Sequence, residues 1–361
     1  MEQNKKIAMV VGARPQFIKI ALLIHEIKKK APVILIHTGQ HYDFEMSESF
    51  FQQVKIPEPD YYLEVGSATH GHQTGEMLKR IEDVYIKESP ELVIVVGDTN
   101  STLAGALAAS KLHIKIAHIE AGMRNFDRQK PEEINRIMTD HITDYFFAST
   151  ETAKKFLSKE GIKNNIFLVG DISNDLFLRN IESAERESSI LQELNLKQGS
   201  YHVLTIHKSL NTDKKENLEA ILSTISKIEE YVVFPMHPRT KKCIEQYGLE
   251  EYLEKDHIIL SNSLPYFDMI KLMKHSKKII TDSGGIQKEA YSLQIPCITM
   301  RKTEWVETVK EGWNCEVDIH NQETFIDRIK NFYPTEKQSN FLGRGETFKK
   351  IANIIWEKIL F

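Results

Sequence analysis

Short β-branched or aliphatic runs recur along the chain. Each is followed by a glycine or polar turn and then by a segment with apolar residues at helical spacing. Residues 7–11, 33–37, 92–96, 114–119, 145–147 and 166–169 read as buried strands. Helical periods fall between most of them, at 15–30, 46–53, 73–87, 102–111, 131–143 and 150–159. Pro15 and Pro131 stand at first helical positions, where the missing N–H costs nothing. Strands alternating with helices predict a parallel sheet covered on both faces, because right-handed crossovers connect parallel strands economically. A second series begins after Gly170, with strands at 201–206, 231–234, 257–260, 278–281 and 295–300. The pattern therefore predicts two doubly wound, Rossmann-like α/β domains, 1–170 and 171–340, and a terminal segment 341–361 belonging to a long helix that starts near residue 340. A polar stretch at 182–200 reads as a helix and a loop.

Length supports the division, since 361 residues exceed what one core ordinarily organises. Forty-seven Lys and Arg against 51 Asp and Glu leave a formal charge of −4, which argues against a nucleic-acid-coating protein. The three cysteines (Cys243, Cys297, Cys315) form no CxxC pair, so neither a disulfide framework nor a zinc ribbon is expected. That usage fits a reducing cytoplasm. No apolar run approaches the roughly 18 residues of a membrane span. The start reads as the first core strand, without a cleavable leader, and no membrane or nucleic-acid partner is expected.

In doubly wound sheets ligands sit at the carboxyl ends of strands, so the residues just after each strand are read first. After 7–11 come Gly12, Ala13, Arg14 and, one turn on, Lys19, two cations at a helix N-terminus suited to phosphate. Asp98 follows the strand at 92–96, Glu120 follows 114–119, and Glu132 lies in the first turn of a helix. Asp98 and Glu132 could simply cap helices. Glu120 is harder to explain so, because Ala-Gly-Met-Arg after it is not a helix start. Three carboxylates converging on one crevice would compete for protons, as acid–base chemistry requires. In the second half, Ser283, Gly284 and Gly285 open a helix after a strand, where backbone N–H groups can approach a phosphate. Glu289 follows on the same helix and suits ribose hydroxyls. His207 and His237 end two strands of this half. No G-x-G-x-x-G or G-x-x-x-x-G-K-[ST] occurs, so no tightly bound NAD and no P-loop is expected. His70-Gly-His72 has no third ligand at suitable spacing, so no metal site and no cofactor are predicted.

The strings GARPQFIK (12–19), GQHYD (39–43), GDTNST (97–102), HIEAGMR (118–124), PEEINR (131–136), TDSGGIQKEA (281–290) and TEWVET (303–308) together resemble the non-hydrolysing UDP-N-acetylglucosamine 2-epimerase family. They run in the family's order across most of the chain. The resemblance implies the two-domain glycosyltransferase-B arrangement, with a sugar nucleotide in the cleft and the last helix crossing back to the first domain. It implies an isomerase acting on a UDP-sugar without a cofactor. Carbon 2 of such a sugar has no adjacent carbonyl, so elimination of UDP to a glycal and re-addition from the other face is the implied route. Carried over by motif, Asp98, Glu120 and Glu132 act on the C2 proton and the ring. Arg14, Lys19 and His207 serve the diphosphate with Ser283, Gly284 and Gly285; His237 is a further substrate-binding candidate, Glu289 binds ribose and Phe267 lies beside uracil. A homodimer is the expected assembly.

Two departures bear on substrate and regulation. Where the family commonly has His-Arg-x-Glu-Asn, this chain reads His207-Lys208-Ser209-Leu210-Asn211, and a lysine cannot replace arginine's bidentate fork. Residues 66–73 lack the arginine that allosterically activated members carry, so UDP-N-acetylglucosamine is not expected to be needed as an activator. The motifs look most like the branch that includes UDP-2,3-diacetamido-glucuronate 2-epimerases, for which Arg124, Arg128 and Arg301 are candidate partners of the extra carboxylate. A glycosyltransferase, a hydrolysing 2-epimerase and a non-catalytic sugar-nucleotide binder are the competing readings.

Overall fold

The computed structural model describes residues 5–40 and 57–360. It contains two compact units, one of residues 1–176 and 341–361, the other of residues 177–340. The helix expected at 46–53 lies outside the described residues, as do His41, Tyr42 and Asp43.

Among the described residues of the first unit, seven parallel strands stand in the order β3-β2-β1-β4-β5-β6-β7. They are β1 (Ile7–Val11), β2 (Val33–His37), β3 (Tyr61–Tyr62), β4 (Leu92–Val96), β5 (Lys115–Ile119), β6 (Tyr145–Ala148) and β7 (Ile166–Leu168). β1, β2 and β4 are buried along their whole length, which is why they read as continuous apolar runs rather than as alternations. The order reverses between β1 and β4, in register Ile7 to Leu92 and Val10 to Val95. Helix Arg14–Ile27 covers one face, burying Ile20, Leu23, Ile24 and Ile27.

The terminal segment also packs there, but not as one helix from residue 340. It forms a helix at Thr347–Ile354 and then a π-helical turn at Ile355–Leu360. Gly343 and Gly345, at φ of +93° and +85°, break the earlier part. The carbonyl of Leu342 instead accepts from the Asp171 N–H at 2.9 Å, and that of Gly343 from Asn174 at 3.2 Å. Phe348, Ile351, Ile355 and Ile359 then join the core of helix Arg14–Ile27.

The second unit has six parallel strands in the order β10-β9-β8-β11-β12-β13. They are β8 (Tyr201–Thr205), β9 (Tyr231–Met236), β10 (Ile258–Asn262), β11 (Lys278–Thr281), β12 (Cys297–Thr299) and β13 (Asn314–Glu316). Here the reversal falls between β8 and β11. β3 and β13 escape the sequence pattern because edge strands of two and three residues carry no usable period. Among the described residues no helix is long and apolar enough to cross a membrane.

Candidate active site

Both sheets put polar turns at their reversal points, where neighbouring strands part and leave a crevice. In the first unit the turn after β1 meets the turn after β4. Gly12 is required there: a Cβ on it would stand 1.9 Å from Ser101 Oγ. Gln16 joins the two turns, its Oε1 accepting from the N–H of Gly12 at 2.8 Å and its Nε2 donating to the Val96 carbonyl at 2.8 Å. Arg14 begins the following helix; its side chain lies outside what the structure describes.

Asp98 and Glu120 follow β4 and β5, adjacent strands in register from Leu92–Lys115 to Val96–Ile119. Each carboxylate is met by a cation. Lys19 Nζ lies 2.6 Å from Glu120 Oε2, with both side chains largely buried. Burial works to lower the Lys19 pKa, but Glu120 and Asp98 hold it above the ordinary lysine value. Arg136 donates to Asp98 Oδ2 from Nε at 3.0 Å and from a terminal nitrogen at 2.5 Å, and its other terminal nitrogen reaches Glu133 at 3.0 Å. The mutual repulsion expected of converging carboxylates is therefore answered locally by Lys19 and Arg136. Glu120 itself sits at φ +70°, a left-handed conformation uncommon for a residue with a Cβ.

Asp98 caps no helix. Thr99 does so, its hydroxyl accepting from the Thr102 N–H. Glu132 faces solvent in the first turn of helix Pro131–His141, while its neighbour Glu133 is fully buried and accepts from the N–H groups of Asn125 and Phe126 at 3.0 and 2.9 Å. Asn135 ties this helix to the site, donating to the Asp98 carbonyl at 2.9 Å. The sequence marked the motif, but not which of its two glutamates the core would claim. Arg124 is buried on Asp140 and Glu160, at 2.7 Å from each, and so is committed to the fold.

In the second unit a pocket of about 240 Å³ opens at the carboxyl ends of the strands, lined among others by Thr205, His207, His237, Leu264, Met269 and Ser283. Two helix N-termini, of Pro238–Tyr247 and Gly284–Ser292, are capped by pocket residues, His237 and Ser283. The rings of His207 and His237 lie 5.9 Å apart. Buried Asp282 fixes the His207 turn, accepting from the N–H groups of His207 and Lys208 at 3.1 Å and from Asn211 at 3.0 Å. Burial lowers the His207 pKa, the Asp282 charge opposing it, so the ring is poised as a neutral hydrogen-bonding group. Arg301 donates to the Asp282 carbonyl at 2.7 Å and pairs with Glu304 at 2.8 Å, against the Gly284 turn. Glu289, half-buried, has its pKa pushed up to about 7 by burial. Phe267 packs with Tyr266 at 6.2 Å between ring centroids and does not line the pocket; Leu264 and Met269 do. Those two were missed because isolated apolar residues look like core in a sequence. Among the described residues no group of three or more His, Cys, Asp or Glu is placed to hold a metal.

The model of the family described as UDP-N-acetylglucosamine 2-epimerase matches residues 25–356. The chain belongs to that family. A UDP-N-acetylglucosamine 2-epimerase homolog of Methanococcus maripaludis is 51% identical to it, over 97% of this chain and 99% of the relative. The UDP-2,3-diacetamido-2,3-dideoxy-D-glucuronate 2-epimerase of Pseudomonas aeruginosa is 46% identical over 86% and 87%. The crystal structure of the Methanocaldococcus jannaschii UDP-GlcNAc 2-epimerase, in complex with UDP-GlcNAc and UDP, matches with TM-score 0.84 at 42% identity, covering 97% of this chain and 99% of that one. A lipopolysaccharide outer core galactosyltransferase, 14% identical with TM-score 0.58, shares the fold alone. The resemblance carried by the seven motifs and the glycosyltransferase-B class of fold are thus both borne out.

Proposed function

We propose that the chain epimerises carbon 2 of a UDP-2-acetamido sugar, converting UDP-N-acetylglucosamine to UDP-N-acetylmannosamine or acting on the 2,3-diacetamido-glucuronate analogue. In this reading the bond from C1 to the diphosphate oxygen breaks as the C2 proton is taken. The products are UDP and a glycal; UDP and a proton then add back, the proton on the opposite face. No water is consumed, which makes the enzyme a non-hydrolysing epimerase. The observation that carries the reading is the pair of carboxylates, Asp98 and Glu120, at the ends of adjacent strands and each beside its own cation. Proton transfer at C2 needs such groups, and departing diphosphate needs cations.

The site residues take their roles within that proposal. Asp98, Glu120 and Glu132 serve the proton transfers and the ring. His207 stabilises the leaving diphosphate, held with Arg14, Lys19, His237, Ser283, Gly284 and Gly285. Glu289 receives ribose, and the uracil side falls to the segment of Phe267, whose neighbours Leu264 and Met269 line the pocket. Homodimeric assembly, a cytoplasmic setting and a place in the synthesis of surface-polysaccharide precursors belong to the same proposal.

Incubation with each UDP-sugar in deuterated water tests it. Deuterium at C2 of recovered substrate, with the epimer appearing and UDP not accumulating, is the expected result. Accumulation of UDP and the unbound sugar would identify a hydrolysing enzyme. Absence of exchange with every candidate sugar would sink the reading in favour of a transferase or a binding protein.

A further inference from the structure

Behind the Asp98 and Glu120 turns lies a buried histidine with an oxygen atom at each ring nitrogen. His118, in β5, is fully buried. Its Nδ1 stands 2.7 Å from Asp140 Oδ1 and its Nε2 stands 2.8 Å from the carbonyl oxygen of Gly97. A carbonyl oxygen can only accept. Asp140 also accepts, from the Gly122 N–H at 3.0 Å and from Arg124 at 2.7 Å. An arginine cation and a backbone N–H on its other oxygen keep Asp140 a carboxylate with no proton to offer. A neutral imidazole has one N–H and would turn a lone pair on one of these buried acceptors; the imidazolium donates to both.

We propose that His118 is a protonated positioning residue that ties the Gly97–Asp98 turn to the Glu120–Gly122 turn. The buried charge is balanced where it lies. His118 and Arg124 face Asp140 and Glu160, the last accepting from Arg124 at 2.8 and 2.7 Å, with the His141 ring 3.6 Å away on the rim. One end of the cross-link holds the peptide before Asp98, and the other, through Asp140, holds the N–H of Gly122. A Cβ built on Gly97 would stand 3.4 Å from Glu120 Oε2 and 3.5 Å from Lys19 Nζ. Gly97 is thus gripped through its carbonyl by His118 and abuts the Lys19–Glu120 pair, so letting it move displaces both carboxylates.

The kinetic consequence rests on the epimerase reading; the protonation state does not. Nitrogen NMR of the full chain carrying ring-labelled histidine, at mildly alkaline pH where exposed imidazoles are neutral, should show one histidine with both ring nitrogens protonated and shielded from exchange. That signal should vanish in His118→Gln. If His118→Gln fails to fold, Asp140→Asn, which removes the anion and keeps the ring, should convert the same signal to that of a neutral tautomer. A His118 with one unprotonated ring nitrogen in the native chain would overturn the proposal. In C2 exchange, Asp140→Asn should lower kcat by about 100-fold, the size of effect a misplaced catalytic group produces, with KM little changed. An unchanged kcat would overturn the positioning role. If the native chain exchanges no sugar, the epimerase reading fails while the NMR result still decides the state of His118.

Discussion

Glu120 combines three properties seldom found together in one carboxylate: it ends a buried strand, it adopts a left-handed backbone and it pairs with a lysine inside the fold. Such a conformation persists only where its surroundings over-determine it, which is common at functional sites. If Glu120 and Asp98 transfer protons, Glu120→Gln and Asp98→Asn should each lose at least ~100-fold in C2 deuterium exchange. Near-normal turnover would remove either from the mechanism. Glu289 makes a separate prediction. Its carboxyl, held near 7, should accept ribose hydroxyls best when ionised, so UDP affinity should gain a component as pH rises through about 7. Calorimetric titration with UDP at pH values on either side, compared with Glu289→Gln, isolates that component from every other group that the two proteins share. A difference between native and variant that does not change with pH would refute it.

Elements hold these residues through close backbone approach and through caps borrowed across the fold. Gly122, at φ +81°, would bring a Cβ to 2.4 Å from the Ala153 carbonyl. Gly122→Ala should therefore destabilise the first unit by at least about 2 kcal/mol, read by chemical denaturation; a stability equal to the native chain would contradict the geometry. Asp175, on helix Ile172–Glu187, accepts from the Phe348 N–H at 2.7 Å and so caps the terminal helix from outside it. Burial pushes its pKa up to about 6 from 3.8. The folded state thus prefers the protonated carboxyl, whose stabilisation is complete below about pH 4 and is lost as pH rises through about 6. The loss amounts to at most ~3 kcal/mol. Asp175→Asn should gain on the native chain in Tm across that window and keep the gain at neutral pH. Parallel Tm curves for the two proteins would disprove it.

At the scale of the molecule the two units hold different sets of polar groups. The first carries the carboxylates and their cations, the second a pocket with two capped helix N-termini and a histidine pair. Substrate choice is the question at this scale, because relatives of closely similar identity differ in the sugar they are named for. Of the cations considered for a uronate carboxylate, Arg124 is buried on Asp140 and Glu160, Arg128 is exposed, and Arg301, paired with Glu304, is the one that stands at the Gly284 turn. Arg301→Met should therefore cost more with the uronate than with UDP-N-acetylglucosamine if that arginine selects it, a comparison of kcat/KM on the two sugars. If UDP-N-acetylglucosamine is not needed as an activator, progress curves should show no lag. A lag abolished by a trace of that sugar nucleotide would show the opposite.

The sequence by itself determined the architecture and the polar turns that stand at the strand ends. Parallel strands buried on both faces must read as apolar runs, and glycine-polar turns after them must fall at the strand ends, so Asp98, Glu120, His207 and Ser283 could be placed there without coordinates. Only the tertiary structure decided what each of those groups touches. Lys19 reaches Glu120 from 101 residues away and Arg136 reaches Asp98 from 38. Glu133 rather than Glu132 enters the core, and the terminal helix waits for Thr347 because Asp171 and Asn174 hold the chain before it. Periodicity records which face of an element is buried; it carries no information on the partner met there, which depends on contacts between segments remote along the chain.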